Sequence, residues 1–495
     1  MNSKYILAID QSTSGTKALL FDESGAVAWR SDLPHKQIID EKGWVEHDPE
    51  EIYRNTIGVV KMVIKQSGIH KENIIGAGIS NQRETAMIWD RASGRPVYNA
   101  IVWQCARGEA LCRKIKEAGA DRLVKEHTGL HLSPYFSAAK ISWILHYIEN
   151  VQQEMQEKKL CAGTMDSWLV YKLTGGEVFK TDYSNASRTQ LFNIVDLKWD
   201  QEVCQLFGID PAMLAEVGDS NGYYGESDFG GVLDKKIPIH AVLGDSHGAL
   251  FGQGCLEPGM VKATYGTGSS IMMNIGEKPV FSKSGLVTSL AWGMDGEISY
   301  VLEGNINYTG AVLKWVAEDL KLIASPAEAE KYARQANPGD KTYLVPAFSG
   351  LGAPYWDSKA EAQISGITRT TGRAELVKAA VECIAYQITD VIKAMGEDAN
   401  LEIEELRVDG GPTKNSYLMQ FQSDILNIAV KVPKIEELSG AGAAYAAGLA
   451  LQFYHKEDLF SGQNKMKFLP EIDTNQRDKR YEGWRHAVSL VLTKK

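Results

Sequence analysis

Short apolar runs alternate with polar turns along this chain, and longer amphipathic segments separate them, a pattern that predicts an α/β protein. The first apolar run, at residues 5–9, meets a group of small hydroxyl residues around Gly15 and resumes at residues 18–21. That order predicts two strands joined by a tight turn. Residues 260–273 repeat it around Gly266 and Gly268. Two such hairpins, far apart in the sequence, predict two related halves.

Further elements follow from the same patterns. The predicted helices occupy residues 50–68, 138–150, 165–173, 310–320, 327–336, 374–395, 415–426 and 440–451. The predicted strands occupy residues 74–80, 86–90, 237–243 and 406–409, with another from residue 100 to Trp103. We expect the Ala- and Gly-rich helix 440–451 to close the second half. Residues 181–189 are too polar for a core and too patterned for a linker.

Length and charge narrow the possible classes of protein. A chain of 495 residues is too long to fold around one ordinary hydrophobic core, so we expect two domains, residues 1–250 and 251–495. The net charge of -10 argues against nucleic acid or an anionic membrane as a partner. The sequence contains neither an apolar stretch typical of a signal peptide nor an uncharged run long enough to cross a bilayer. We therefore expect a cytoplasmic protein without membrane insertion.

The first turn has the chemistry of a phosphate site. Thr13, Ser14 and Lys17 offer hydroxyl groups and an ammonium to an anion, and Asp10 at the strand end could hold a hydrated Mg²⁺ beside them. Ser, Thr and Gly also favour turns for conformational reasons, so an ordinary solvated hairpin remains open. If the two halves face each other, their turns could hold the phosphates of one nucleotide from both sides.

Three further strand ends carry residues suited to ligands. Arg83 and Glu84 follow the strand 74–80 and could bind a polar ligand, although a surface ion pair is the alternative. Asp245 begins a helix after Gly244, where the helix dipole favours its ionised form, so it could act as a general base or simply as an N-cap. The glycines at 410–411 leave room for a nucleotide or phosphate near the backbone.

Seven segments together resemble the FGGY carbohydrate kinases, and within that family the glycerol kinases. They lie, in family order, at residues 10–13, 81–85, 182–189, 244–245, 264–268, 346–356 and 408–411. The resemblance implies two actin-like (ribonuclease H-like) α/β domains, with the nucleotide and substrate cleft between them. It also implies ATP as phosphoryl donor, Mg²⁺ as cofactor, and a homodimer or homotetramer.

The same resemblance implies roles for individual residues. Asp245 is implied as the general base, and Asp10 and Asp245 as the residues near Mg²⁺. The implied substrate contacts are Arg83, Glu84, Trp103, Tyr135, Asp245, Ser246 and His247. The implied nucleotide contacts are Thr13, Ser14, Lys17, Gly266, Thr267, Gly268, Gly310, Lys314, Gly410, Gly411 and Asn415.

The acceptor implied first is glycerol, phosphorylated on a terminal hydroxyl to sn-glycerol 3-phosphate. Ser246 and His247 replace the paired glutamines that glycerol kinases usually carry, and an Asp followed two residues later by His is similar to ribulokinase branches. A longer polyol or ketose, such as erythritol, a pentitol, ribulose or xylulose, is therefore an alternative, although His247 could equally be a helix-packing residue. A non-catalytic, actin-like sugar sensor is a third possibility, which loss of the base would indicate; Asp245 is present.

Overall fold

The computed structural model describes residues 3–461 and 465–493. Two mixed sheets form its centre. The N-terminal sheet contains, in spatial order, Glu226–Ser227, Ile237–Gly244, Ile74–Asn81, Tyr5–Gln11, Gly15–Phe21 and Val27–Pro34. The C-terminal sheet contains, in spatial order, Val287–Met294, Glu297–Ile306, Ser269–Gly276, Val261–Tyr265, Glu405–Asp409, Ala429–Pro433 and Lys465–Phe468.

Both sheets are built around a hairpin with the same strand pairing. Tyr5–Gln11 runs antiparallel to Gly15–Phe21 and parallel to Ile74–Asn81. In the second half, Val261–Tyr265 runs antiparallel to its hairpin partner and parallel to Glu405–Asp409. Helices cover the sheets, so strands Tyr5–Gln11 and Val261–Tyr265 are almost wholly buried, although the second contains the polar residues Lys262 and Thr264. This repeated arrangement confirms the expected α/β fold with two actin-like halves.

Small sheets flank this centre. One has five strands, in the order Ile38–Ile39, Val45–His47, Ala100–Ile101, Ala86–Asp90 and Leu160–Thr164. Three pairs complete the set: Lys180–Asp182 with Glu216–Gly218, Phe192–Asn193 with Lys198–Trp199, and Tyr343–Val345 with Gln363–Ser365. The strand that was expected to reach Trp103 ends at Ile101, because the N–H of Cys105 donates to the carbonyl of Val102 and closes a turn there.

The helices largely occupy the predicted positions. Their bounds are Pro49–Ser67, Glu109–Glu117, Asp121–Thr128, Ser137–Tyr147, Val151–Gln156, Met165–Leu173, Tyr183–Ala186, Gln201–Leu206, Asp245–Gly252, Gly310–Glu318, Ala329–Gln335, Arg373–Ala399, Ser416–Leu426, Leu438–Ala450, Lys456–Ser461 and Thr474–Val491. The helix predicted at 138–150 ends at Tyr147, because Ile148 adopts an extended backbone conformation. A separate helix begins at Val151, after Asn150 in a left-handed conformation with φ of 64°. Among the described residues, no helix is long and apolar enough to cross a membrane.

Helix Leu438–Ala450 lies where the two halves meet. We expected it to close the second half, but it packs on the N-terminal sheet and against helix Asp245–Gly252. The contact is close because glycines face each other: a Cβ on Gly442 would lie 1.9 Å from the carbonyl oxygen of Gly248. Glu437, the residue before this helix, is thereby brought to the first hairpin.

Candidate functional site

Three strand ends of the N-terminal sheet meet at one edge. The register pairs Gln11 with Asn81, and Asn81 with Gly244. The first hairpin turn, Arg83 and Asp245 all follow these residues directly. The carboxyl edge of the sheet therefore collects the residues that the sequence singled out, as is usual for ligand sites of open α/β sheets.

The polar segment at residues 181–189 is buried beneath this edge and forms hydrogen bonds with the strand ends. Asn185 and Asn81 exchange side-chain hydrogen bonds of 2.9 and 3.0 Å, and the Gly244 N–H donates to Ser184 Oγ at 2.9 Å. Asp182 accepts from the N–H groups of Ser184 and Asn185. The expectation that this segment is too polar for a core is wrong, because buried polar groups are stable when they have partners.

Arg83, Glu84 and Asp245 form the charged centre of the edge. Arg83 Nε lies 3.3 Å from Asp245 Oδ1 and 3.9 Å from Glu84 Oε1. The side chains of Arg83 and Glu84 are almost fully buried, whereas that of Asp245 is 33% exposed. Burial alone would lower the pKa of Arg83, but Glu303, Glu84 and Asp245 hold that pKa well above its usual value. The cluster thus contains a permanent cation and an accessible carboxylate.

The surroundings of Asp245 show whether its side chain caps the helix that it begins. Gly244 is the N-cap residue of the helix, and Asp245 is its first residue. Its Oδ1 accepts the N–H of its neighbour Ser246 at 2.6 Å and lies 3.3 Å from Arg83 Nε, and no N–H further along the helix is recorded as donating to it among the described residues. Asp245 therefore does not cap the helix, and its carboxylate remains available to a ligand.

Two aromatic rings connect this centre to the first hairpin. Trp103 and Tyr135 contact each other edge to face, with ring centroids 5.5 Å apart. Trp103 Nε1 donates to Thr13 Oγ1 at 2.9 Å. Burial raises the pKa of Tyr135, so its hydroxyl is neutral at physiological pH. The arrangement can provide an apolar wall near Glu84 and Arg83, whose charges act on the Tyr135 hydroxyl, and it also orients the hairpin turn.

His247 faces the interior of the protein. Its side chain is fully buried, and Nε2 lies 3.4 Å from Ser289 Oγ. Burial, followed by the charge of Arg83, lowers the pKa of His247 well below its usual value, so the ring is neutral. This environment favours the packing role over the substrate role, while Ser246 beside it is partly exposed.

The first hairpin carries its cation beside two carboxylates. Lys17 Nζ lies 2.6 Å from Glu437 Oε2 and 3.7 Å from Asp10 Oδ2. Burial, partly opposed by Lys17, raises the pKa of Asp10 to about 6, and the nearby charges of Glu437 and Asp245 act in the same direction. The turn is closed by the Ser12 N–H, which donates to the Gly15 carbonyl at 2.9 Å.

The second hairpin packs against a helix start. The N–H groups of Thr309 and Gly310 donate to the carbonyls of Thr267 and Gly266, both at 2.9 Å. A Cβ on Gly310 would lie 2.7 Å from the Gly266 carbonyl oxygen, so the close approach requires glycine there. The structure thus brings Gly310 to the turn at residues 266–268.

The backbone at Gly410, directly after strand Glu405–Asp409, also packs against the second hairpin. Gly410 has φ of 98°, and a Cβ there would lie 2.0 Å from the Tyr265 carbonyl oxygen. Asn415 caps helix Ser416–Leu426 by accepting from the Leu418 N–H, and its buried Nδ2 has no hydrogen-bond partner among the described residues. Lys314 is different: it is exposed, with its Nζ 4.0 Å from Glu318.

Asp10 and Asp245 are the two candidate metal ligands. Within residues 3–461 and 465–493, no group of three or more His, Cys, Asp or Glu side chains is placed to hold a metal ion. Mg²⁺ in phosphoryl-transfer sites is commonly bound by one or two carboxylates, with water and phosphate oxygens completing its shell. Asp10 and Asp245 are two such carboxylates, and the charge of Asp245 contributes to the raised pKa of Asp10.

Comparison with known proteins identifies the family. Models of the FGGY family of carbohydrate kinases match residues 5–252 (N-terminal domain) and residues 261–451 (C-terminal domain). The chain belongs to this family. The membership agrees with the resemblance on which the expected fold and kinase activity rested.

Individual FGGY proteins are similar over almost their full length. "Glycerol kinase 1" of Thermotoga maritima is 50% identical over 493 residues, covering 99% of this chain and 100% of the relative. A glycerol kinase of Thermoanaerobacter is 46% identical over 492 residues, 99% of each chain. The crystal structure of Plasmodium falciparum glycerol kinase with ADP superposes with a TM-score of 0.94 at 36% identity, covering 100% of this chain and 99% of that chain.

Sequence reasoning gave no individual role to two residues of this FGGY site. Arg188 Nε donates to Glu84 Oε1 at 2.6 Å, and Glu303 accepts from both terminal nitrogens of Arg83 at 2.9 Å. One feature of the sequence could have pointed to Glu303: it is a charged residue that directly follows the apolar residues Val301 and Leu302. Such a residue is rarely buried without a partner.

Proposed function

We propose that this FGGY kinase transfers the terminal phosphoryl group of ATP to glycerol, giving sn-glycerol 3-phosphate. The observation that carries the proposal is the accessible Asp245 carboxylate beside the buried Arg83 and Glu84. Relatives named glycerol kinase, at 43–50% identity over nearly the full chain, support glycerol as the acceptor.

On the acceptor side, each residue has a chemical task. Asp245 accepts the proton of the attacking hydroxyl as general base. Arg83 and Glu84 hydrogen-bond the other hydroxyls of glycerol, one as donor and one as acceptor. Trp103 and Tyr135 contact the carbon chain and exclude water. Phosphoryl transfer depends mainly on positioning and on neutralising charge, so these groups are sufficient on this side.

On the donor side, the two hairpins hold the phosphates between them. The proposed nucleotide contacts are Thr13, Ser14, Lys17, Gly266, Thr267, Gly268, Gly310, Lys314, Gly410, Gly411 and Asn415. Mg²⁺, when bound, neutralises phosphate charge, and Asp10 and Asp245 would hold it. The absence of a Cβ at Gly310 and Gly410 lets both positions pack against the backbone of residues 265–266 in the second hairpin.

The wider proposal keeps the expectations that follow from the family resemblance. The domains are residues 1–250 on the acceptor side and residues 251–495 on the nucleotide side, and the enzyme acts in the cytoplasm as a homodimer or homotetramer. A longer polyol or ketose is the second candidate acceptor, because Ser246 and His247 place two polar residues next to Asp245. The burial of His247 weighs against it.

ADP release with Mg-ATP tests the proposal across glycerol, erythritol, ribitol, xylitol, D-ribulose, D-xylulose and L-ribulose. We expect glycerol to have the highest kcat/KM. A higher value for a longer polyol or ketose would show that glycerol is the wrong acceptor. Release at the level of the Asp245→Asn variant with every acceptor would instead support the non-catalytic sensor.

A further inference from the structure

Glu303 is a fully buried carboxylate at the contact between the halves. It lies on strand Glu297–Ile306 of the C-terminal sheet, and its side chain is 0% exposed. Its two oxygens accept from Arg83 Nη1 and Nη2, each at 2.9 Å, in a bidentate arrangement. Arg188 Nη1 lies 3.0 Å from Glu303 Oε2. One carboxylate of the second half therefore pairs with two guanidinium groups of the first.

The balance of charge keeps this carboxylate ionised. A carboxylate taken out of water is stable as an anion only when cations and hydrogen bonds compensate it. Burial alone would raise the pKa of Glu303, but Arg188 and Arg83 hold that pKa well below its usual range. Ser270 Oγ, also from the second half, lies 3.4 Å from Glu303 Oε1 and adds a neutral contact.

This pairing determines how the acceptor residues are presented. Glu303 accepts one N–H from each terminal nitrogen of Arg83, which fixes the plane of the guanidinium and directs Nε at Asp245. The second N–H of each terminal nitrogen remains for the acceptor. Arg188 extends the effect to Glu84, whose Oε1 it binds at 2.6 Å. Glu84 has a positive φ of 61°, an uncommon conformation for a non-glycine residue that its surroundings must hold in place.

We propose that Glu303 is the positioning residue of the acceptor site, which orients Arg83 directly and Glu84 through Arg188. The inference rests on the proposed function, in which Arg83 and Glu84 bind the acceptor. It adds that the C-terminal half, which belongs to the nucleotide side, completes the acceptor site. Binding of the acceptor thus depends on the contact between the halves.

The Glu303→Gln variant tests this inference, because it keeps the shape of the side chain but removes its charge and one acceptor oxygen. We expect the KM for the acceptor to rise by about tenfold or more, since Arg83 loses a charge-assisted bidentate pair. The KM for ATP should change by less than about twofold, because the polar contacts of Glu303 among the described residues are with Arg83, Arg188 and Ser270, which lie outside the hairpin turns. Calorimetric titration of the acceptor without nucleotide should show the same loss of affinity.

Glu46→Gln is the matched control. Glu46 is another largely buried carboxylate, 2.6 Å from Arg107 Nη1, and it also accepts from Tyr98 and Asn99. It contacts none of the proposed acceptor residues in these pairs. We expect this variant to lose stability while its acceptor KM stays at the wild-type value.

The outcomes separate the inference from the function on which it rests. The kcat/KM of the wild-type enzyme is measured first for each of the acceptors named above. The acceptor with the highest value is then used with every variant. If that acceptor is not glycerol, only the choice of glycerol is refuted. Wild-type acceptor affinity in Glu303→Gln, with stability lowered as in Glu46→Gln, would overturn the positioning role. If Glu303→Gln does not fold, Glu303→Asp replaces it: weakened acceptor binding with an unchanged KM for ATP supports the role, and wild-type binding overturns it.

Discussion

We expect Glu437 to compete with the nucleotide for Lys17. Its side chain is 11% exposed, and its two oxygens lie 2.6 Å from Lys17 Nζ and 2.6 Å from Arg30 Nη1. Lys17 is a proposed phosphate contact, so its ammonium must give up part of this ion pair when ATP binds. We therefore expect Glu437→Gln to tighten ATP binding.

The size of the effect follows from the exposure of the pair. The Lys17 side chain is 28% exposed, so water screens much of the attraction. Partly exposed ion pairs contribute about 0.5–1 kcal/mol. In the Glu437→Gln variant, ATP binding no longer has to break this ion pair. The KM for ATP should therefore fall by about two- to fivefold. Because salt screens exposed charges, the difference from wild type should shrink at about 0.5 M KCl.

The assay is the KM for ATP at saturating acceptor, together with calorimetric titration of ADP. Asp32→Asn is the control, because Asp32 lies at the surface, 3.4 Å from Arg30 Nη2, and within the described part of the chain it forms an ion pair with that arginine alone. This control should leave the KM for ATP unchanged. A raised KM in Glu437→Gln would show that Glu437 instead holds Lys17 in place for the phosphates, and an unchanged KM would show that the nucleotide does not need this ammonium. Either result refutes the competition.

Three further predictions concern the base, the nucleotide side and pH. Asp245→Asn should lower kcat by about 10²- to 10⁴-fold while calorimetry shows unchanged ADP binding; turnover near the wild-type rate would exclude it as the base. Gly410→Ala, which places a Cβ 2.0 Å from the Tyr265 carbonyl oxygen at a φ of 98°, should cost about 1–3 kcal/mol in urea unfolding and weaken ADP binding. Gly411→Ala, with open space around it, should keep wild-type stability. Burial raises the pKa of Asp390 to about 6; relative to Asp390→Asn, the unfolding free energy of wild type should therefore fall by about 3 kcal/mol as pH rises from about 4 to 7. A pH-independent difference would contradict this.

Local patterns in the sequence were enough to predict the elements of the site. Both hairpins, the helix start at Asp245 and the turn at residues 410–411 depend on residues that are neighbours in the chain. Turn residues and apolar runs report such structure directly. The repeated hairpin also indicated two related halves, which the strand pairing of the two sheets bears out.

Pairings between distant residues could not be predicted in the same way. Glu84 pairs with Arg188, Arg83 with Glu303, and Lys17 with Glu437, across 104 to 420 positions. The polarity of residues 181–189 was misinterpreted for the same reason: a polar residue is excluded from a core only when it lacks a partner, and the partner is absent from the local sequence. Helix Leu438–Ala450 likewise shows its apolar faces in the sequence but not which sheet they cover.

Glu303 and Glu437 are the two carboxylates of the second half discussed above that form ion pairs with the first half. They differ in their exposure to water, and this difference matches the roles proposed for their partners. Glu303 is fully buried, so removing it takes one counter-charge from two buried guanidinium groups, which then depend on Asp245 and Glu84 for compensation, and this is costly in a low dielectric. Glu437 is partly hydrated and can release Lys17 at small cost. We therefore expect the proposed acceptor side to be rigid before the nucleotide arrives, and the proposed donor side to exchange a carboxylate for a phosphate. Substitutions at Glu303 should consequently change acceptor binding, and substitutions at Glu437 should change ATP binding, with little effect of either on the other ligand.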